Sequence, residues 1–373
     1  MPTPSAAPRQ EDLIDLHKIG ELRLQVKRLP RPTIRDIASF SFGGNQDLCF
    51  VRREADGARS LVLVDAGSGD ALGALSLPSK VGELVCSNPA WIGERRFAIS
   101  LSETKVDGRA YWYVGNFNEG RLSRLAVENC PAVTAVAGLP DGGFAALTTR
   151  RMKYSSARGI HAFNALGALV WKREFHGSGG DPAEVYGPES LVWKNTNELA
   201  VLDGATDLIK LFDGLGTHLR NLKAKVTAPG GGLQSLCLDR KGGFVVLDSN
   251  GRDHIIRLDA AGNNLGHGVV QLGGGHRIPI QGMRVSPNHR IWVTDGINLL
   301  RLDGFGNTDL VLGQKSDSSR LMYPSLIHFD QHDRWFVQDR QSEAIFVFGR
   351  QGDEQSVLRP AYMTQRVIFT TAM

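Results

Sequence analysis

An all-β chain folded as a seven-bladed β-propeller of four-stranded antiparallel blades, with six blades as the alternative count, follows from three features of the sequence. Short runs of alternating apolar and polar residues recur, each closed by a turn within 8 to 12 residues, which is the signature of half-buried strands. A turn in which Asp or Asn is followed by Gly three residues later returns as Asn164 with Gly167, Asp213 with Gly216, Asp259 with Gly262 and Asp303 with Gly306. Looser versions stand at Asp65 with Gly69, Asn116 with Gly120 and Gly349 with Gly352. Their first residues are separated by 51, 48, 49, 46, 44 and 46 positions, a period that places one supersecondary unit after another around an axis.

Bulk properties agree with a soluble repeat protein. A chain of 373 residues exceeds what one core serves, and a repeat architecture shares the core out. Hydrophobic residues at 42% and charged residues at 22% exclude disorder as the main state, and 43 glycines suit many tight turns. A net charge of +4 over this length is too diffuse for a nucleic-acid-binding face, and no window is apolar enough to suggest a membrane span. Cys49, Cys86, Cys130 and Cys237 lack metal-type spacing and read as free thiols in a reducing compartment. With no apolar core in MPTPSAAPRQEDLID to act as a signal, the expectation is cytoplasmic.

Taken in order, residues 1–34 form an N-terminal tail. Glu11 to Ile19 is expected as a short helix, and ELRLQVKRL, with Leu22, Leu24 and Val26 on one face, as an edge strand. The propeller occupies residues 35–360. Its first strands read IASFSF, PAWIG, AVTAVAG, ESLVW, QSLCLD, QGMRVS and PSLIHFD. Second strands read LCFVRR, RFAISL, GFAALTT, ELAVLD, GFVVLD, RIWVTD and RWFVQD. Third strands read SLVLVD, AYWYVGN, GIHAFN, LIKLFD, HIIRLD, NLLRLD and AIFVFG. Residues 361–373 contain QRVIFTTAM, a strand that would cover a terminal blade edge and help close the ring, a role open equally to ELRLQVKRL. The six tryptophans lie within strands and are expected to pack between blades.

Residues 188–216, 233–262 and 323–352 resemble NHL repeats: a Pro-rich start, a small residue and Leu, a strand ending in Asp, then a strand ending Phe-Asp-x-x-Gly. PESLVWKNTNELAVLDGATDLIKLFDGLG carries the resemblance nearly throughout, residues 280–306 follow it with a shortened hairpin, and residues 35–175 depart most. The resemblance implies a propeller, and propellers of that family host binding modules and enzymes alike.

Candidate site residues fall in three groups, all on the face that joins second to third strands and blade to blade. Asp203, Asp248, Asp295 and Asp339 end second strands at steps of 45, 47 and 44, so they either ring one rim for a cation or basic peptide or each cap a local hairpin. Arg52, Arg53, Arg150, Arg151 and Lys153 take that place in blades 1 and 3, giving a rim basic on one side and acidic on the other that would orient a protein or peptide partner. Glu189, Gln234 and Gln281 share a register at the start of the innermost strand and are expected to reach the axial channel. The expected function is a non-enzymatic cytoplasmic scaffold binding a protein or peptide, without a cofactor and without nucleic acid or membrane. The alternative is a metal-dependent hydrolase or lyase holding a divalent cation with Glu189, Asp248, Asp295 and His276. A structural subunit of a larger assembly is a further reading.

Overall fold

The computed structural model describes residues 13–15, 37–42, 47–53, 58–65, 71–78, 84–86, 89–103, 110–125, 132–139, 141–151, 156–176, 181–224, 232–239, 241–248, 254–270, 280, 282–303, 306–313, 321–330, 332–339, 341–342, 344–351, 354–361 and 366–371. Seven antiparallel sheets make a seven-bladed propeller, five of them of four consecutive strands, one of five through a split inner strand and one of six through two added terminal strands, and every described element is a strand. Blade 4 shows the pattern: an inner strand Pro188–Asn195, a second Glu198–Asp203, a third Leu208–Asp213 and an outer His218–Lys223. Inner strands of neighbouring blades touch all the way round, and the ring closes where Ile37–Phe42 of blade 1 meets Pro324–Phe329 of blade 7. No helix among the described residues is long and apolar enough to cross a membrane.

The turns carry the spacing seen in the sequence. Asp213 Oδ1 accepts from the amides of Leu215 at 2.9 Å and Thr217 at 2.8 Å, while Gly216 adopts φ 83°, which an L side chain would resist. A Cβ on Gly216 would also lie 2.7 Å from the Trp171 ring of blade 3, so the glycine serves the seam between blades as well as the turn. Trp171 in turn donates its Nε1 hydrogen to the carbonyl of Gly214 at 2.9 Å.

One blade cannot bury its apolar face alone, and six clusters of buried residues each join two consecutive blades, from 1 with 2 through 6 with 7. Between blades 4 and 5, for instance, Leu202, Ile209, Leu211 and Leu222 meet Leu233, Leu236, Phe244 and Ile256. All six tryptophans belong to these seams: Trp91 between blades 1 and 2, Trp112 between 2 and 3, Trp171 and Trp193 between 3 and 4, Trp292 and Trp335 between 6 and 7. Each fully buried Leu or Phe contributes roughly 1.5–3 kcal/mol, so stability accumulates seam by seam.

Of three details, the first and the last differ from expectation, and the second, the C-terminal strand on a terminal blade edge, agrees with it. Leu13–Asp15, placed by sequence in a short helix, is a strand that pairs with Arg366–Thr371. Arg366–Thr371 itself adds to the outer strand Glu354–Ala361 of blade 7, covering its edge. The inner strand of blade 2 is split into Leu84–Cys86 and Ala90–Gly93, both paired with Arg96–Glu103. Residues 21–29, the other proposed edge strand, lie outside the described residues.

Candidate functional site

The connections between blades and the hairpins joining second to third strands share one face, and there the four aspartates are turned inward. Asp203, fully buried, accepts from the amides of Tyr186 at 3.1 Å and Gly187 at 2.8 Å, and from Ala205 at 3.3 Å. Its other partner is the buried ammonium of Lys210, 3.2 Å away, which also donates to the carbonyl of Glu184. Asp339 repeats the arrangement in blade 7, accepting from Met322 and Tyr323 on one side and from the Gln341 and Ser342 amides and the Ser342 hydroxyl on the other. Asp295 folds onto its own short hairpin, bonded to the Ile297 and Asn298 amides and the Asn298 side chain at 2.6 to 3.0 Å. Asp248 is also buried. Asp203, Asp295 and Asp339 hold backbone amides that the strand ladder leaves over; Asp295 does so within its own hairpin, whereas Asp203 and Asp339 also reach amides of the incoming connection 16 or 17 residues upstream.

The basic group is placed on the same face by register: Arg52 and Arg53 end the strand Asp47–Arg53, and Arg150 and Arg151 end Phe144–Arg151. Arg52 is half-buried, while Lys153 lies outside the described residues, as do Gln281 and His276.

One strand closer to the axis the situation reverses. Pro188 lies opposite Asp203 and Ser190 opposite Leu202, which leaves Glu189 as the extra residue of a bulge. Gln234 and Ser325 are the extra residues at the same register of blades 5 and 7. A bulge re-aims the side chain it inserts, and here it turns Glu189 and Gln234 toward the channel. Both are exposed, and neither has a hydrogen-bond partner among the described residues. They line an axial cavity of about 450 Å³ together with Ser190, Ser235, Arg284 and Thr294. The size is ordinary for a small-ligand site. Partial burial pushes the Glu189 carboxyl above the usual range; the Arg158 guanidinium pulls it back, and the Asp203 charge adds to the rise.

Arg284, which the sequence reading did not single out, lines the same cavity and is exposed to it. It pairs with Trp292 in the ladder, the register held by Val192, Cys237 and His328 in blades 4, 5 and 7. Its Nη1 donates to the carbonyl of Met283 at 2.9 Å, and the Cys237 thiol donates to the same carbonyl at 3.6 Å. Burial lowers the His328 pKa to about 3, with Arg284 adding to the drop, so the imidazole is neutral. The signal was there in QGMRVS: a lone charge in an inner strand whose equivalents are neutral.

Among the described residues no three His, Cys, Asp or Glu side chains converge as a metal cluster. Asp295 is bonded within its own hairpin, whereas Glu189 lies on the channel wall, so the residues named for the hydrolase alternative are not gathered at one point as far as they are described.

No family model and no curated protein sequence matches the chain. Among solved structures it is similar to a streptogramin B lyase, with TM-score 0.55 and 11% identity over 91% of this chain and 94% of that one. It is similar also to a catalytically inactive virginiamycin B lyase from Staphylococcus aureus with quinupristin, with TM-score 0.55 and 12% identity over 92% of this chain and 98% of that one. A prolyl endopeptidase matches with TM-score 0.58 and 14% identity, over 91% of this chain but 50% of its own. At such identities the likeness concerns the propeller fold.

Proposed function

We propose that this chain is a non-catalytic cytoplasmic binding platform built from NHL-like blades, and that its partner is a protein or peptide. The partner sits on the face of the inter-blade connections and places a polar group in the axial cavity of blades 4 to 7. The observation that carries this reading is the contrast on that face: the rim aspartates are buried against backbone amides, whereas Glu189 and Gln234 are bulged toward the cavity without hydrogen-bond partners among the described residues. Polar groups left open in a concave site are where a ligand gains new hydrogen bonds at least cost. The second strands of blades 1 and 3 end on the same face at Arg52, Arg53, Arg150 and Arg151, and the charges of these residues, with Arg284 in the cavity, would favour an acidic partner.

The test is quantitative co-purification with the full chain and with a Glu189→Gln/Gln234→Ala variant. The platform reading expects the specific partner to be recovered at least tenfold less with the variant. Equal recovery from a folded variant would show that the partner binds elsewhere, as a structural subunit meeting its neighbours through outer strands would.

A further inference from the structure

Arg284 is placed where a charge is hard to justify by packing. At its register the neighbouring blades supply an aliphatic side chain, a thiol and a neutral imidazole, and all of these are buried or half-buried, whereas Arg284 is exposed to the cavity. Among the described residues no carboxylate pairs with it, and its one hydrogen bond there goes to the Met283 carbonyl. A guanidinium has five N–H donors in a planar fork, so donors remain for the cavity. Around it, Ser190 and Ser235 present hydroxyls with no partner among the described residues, while Thr294 and Ser325 are already committed to the carbonyls of Pro324 and Gln338. Glu189 lies three register positions before that of Arg284 and two blades away, and no ion pair joins the two among the described residues.

We infer that Arg284 is the anchor of an anion subsite in the axial cavity, taking a carboxylate in a two-pronged, charge-assisted hydrogen bond with Ser190 and Ser235 as supporting donors. This rests on the platform reading's choice of cavity and adds the chemistry of the group that enters it. The carboxylate comes either from an acidic side chain of a protein partner or from a free organic acid.

Isothermal titration of the full chain with succinate, with its neutral isostere succinamide, and with an end-blocked tetra-aspartate peptide tests the assignment. At least one of the two acids binds the unmodified chain, Arg284→Met weakens that binding tenfold or more, Arg284→Lys weakens it less, and succinamide binds at least tenfold more weakly than succinate wherever succinate binds. Binding of the peptide alone assigns the carboxylate to a protein partner; binding of succinate assigns it to a free acid. Should Arg284→Met fail to fold, the 15Nε resonance of Arg284 in the unmodified chain, assigned with Arg284→Lys, shifts on addition of the acid that binds. Absence of binding by both acids, undiminished binding to folded Arg284→Met, equal binding of succinate and succinamide, or an unmoved Arg284 resonance would each overturn the inference. If both acids fail while partner recovery still depends on Glu189 and Gln234, the anion subsite falls and the platform stands. If an acid binds at Arg284 while the channel variant recovers the partner as before, the platform falls and the subsite stands.

Discussion

The ends of the second strands and the starts of the inner strands are a few ångströms apart on one face, carry the same kinds of residue, and do opposite things. Asp203 lies directly across the ladder from Pro188, the residue before Glu189, yet one carboxylate is fully buried and bonded to two amides of the incoming connection while the other is exposed to the axis. The difference arises in the backbone. Where a connection turns into an inner strand it leaves amide hydrogens unpaired, and an Asp at the end of the second strand is within reach of them; a bulge one residue later turns the next side chain out of the sheet. Position relative to the ladder, more than residue type, separates a structural carboxylate from one available to a ligand.

The sharpest way to break this comparison is to remove a rim carboxylate. Asp203→Ala leaves the Lys210 ammonium buried without its carboxylate and three amides without their acceptor, and the urea midpoint should fall by an amount corresponding to about 3–5 kcal/mol. A neutral effect would mean that Asp203 was free to bind a ligand after all. Asp295→Ala, which loses only hairpin bonds and leaves no buried cation, should cost about 1–2 kcal/mol in the same assay. On the channel side, Gln234→Ala should change stability by no more than about 0.5 kcal/mol, because that side chain is exposed and bonded to nothing described.

Glu189 gives the smallest effect and the one with a pH signature. Its folded-state pKa lies above the usual carboxylate value, chiefly through burial. Below the usual range the group is protonated in both folded and unfolded chains and costs nothing; as pH rises from the usual carboxylate value to the folded one, the folded chain must hold a charge that the cavity wall desolvates, and stability declines. Glu189→Gln should therefore raise the thermal midpoint slightly at pH 7, on the order of 1 °C, and leave it unchanged near pH 3.5. A midpoint lowered at pH 7 would show Glu189 to be part of the structural set with Asp203.

The repeat was legible because its turn chemistry is local: Asp213 and Asp259 each cap amides two and four residues on, and such a signature survives in a single sequence. The tryptophans were legible for a related reason, since a large ring inside an alternating strand has few places to go but the seam. The site was less so. Glu189 and Gln234 could be placed at one register by counting, but the fate of the rim aspartates depended on amides from a connection 16 or 17 residues upstream, as Asp203 with Tyr186 and Gly187 shows. Arg284 was visible as an odd charge in QGMRVS, yet its place beside Cys237 and His328 is a product of three blades meeting at the axis. The N-terminal strand Leu13–Asp15 escaped because its partner lies at the other end of the chain.

The claim on which the account turns is that ligands enter at the axis and not at the rim or the outer edges. Hydrogen–deuterium exchange of the full chain with and without its co-purified partner measures this directly. Protection concentrated in the peptides spanning residues 188–190, 233–235 and 282–284 is the predicted result. Protection confined to the outer strands His218–Lys223 and Asn264–Val269, with the inner-strand starts unchanged, would contradict it.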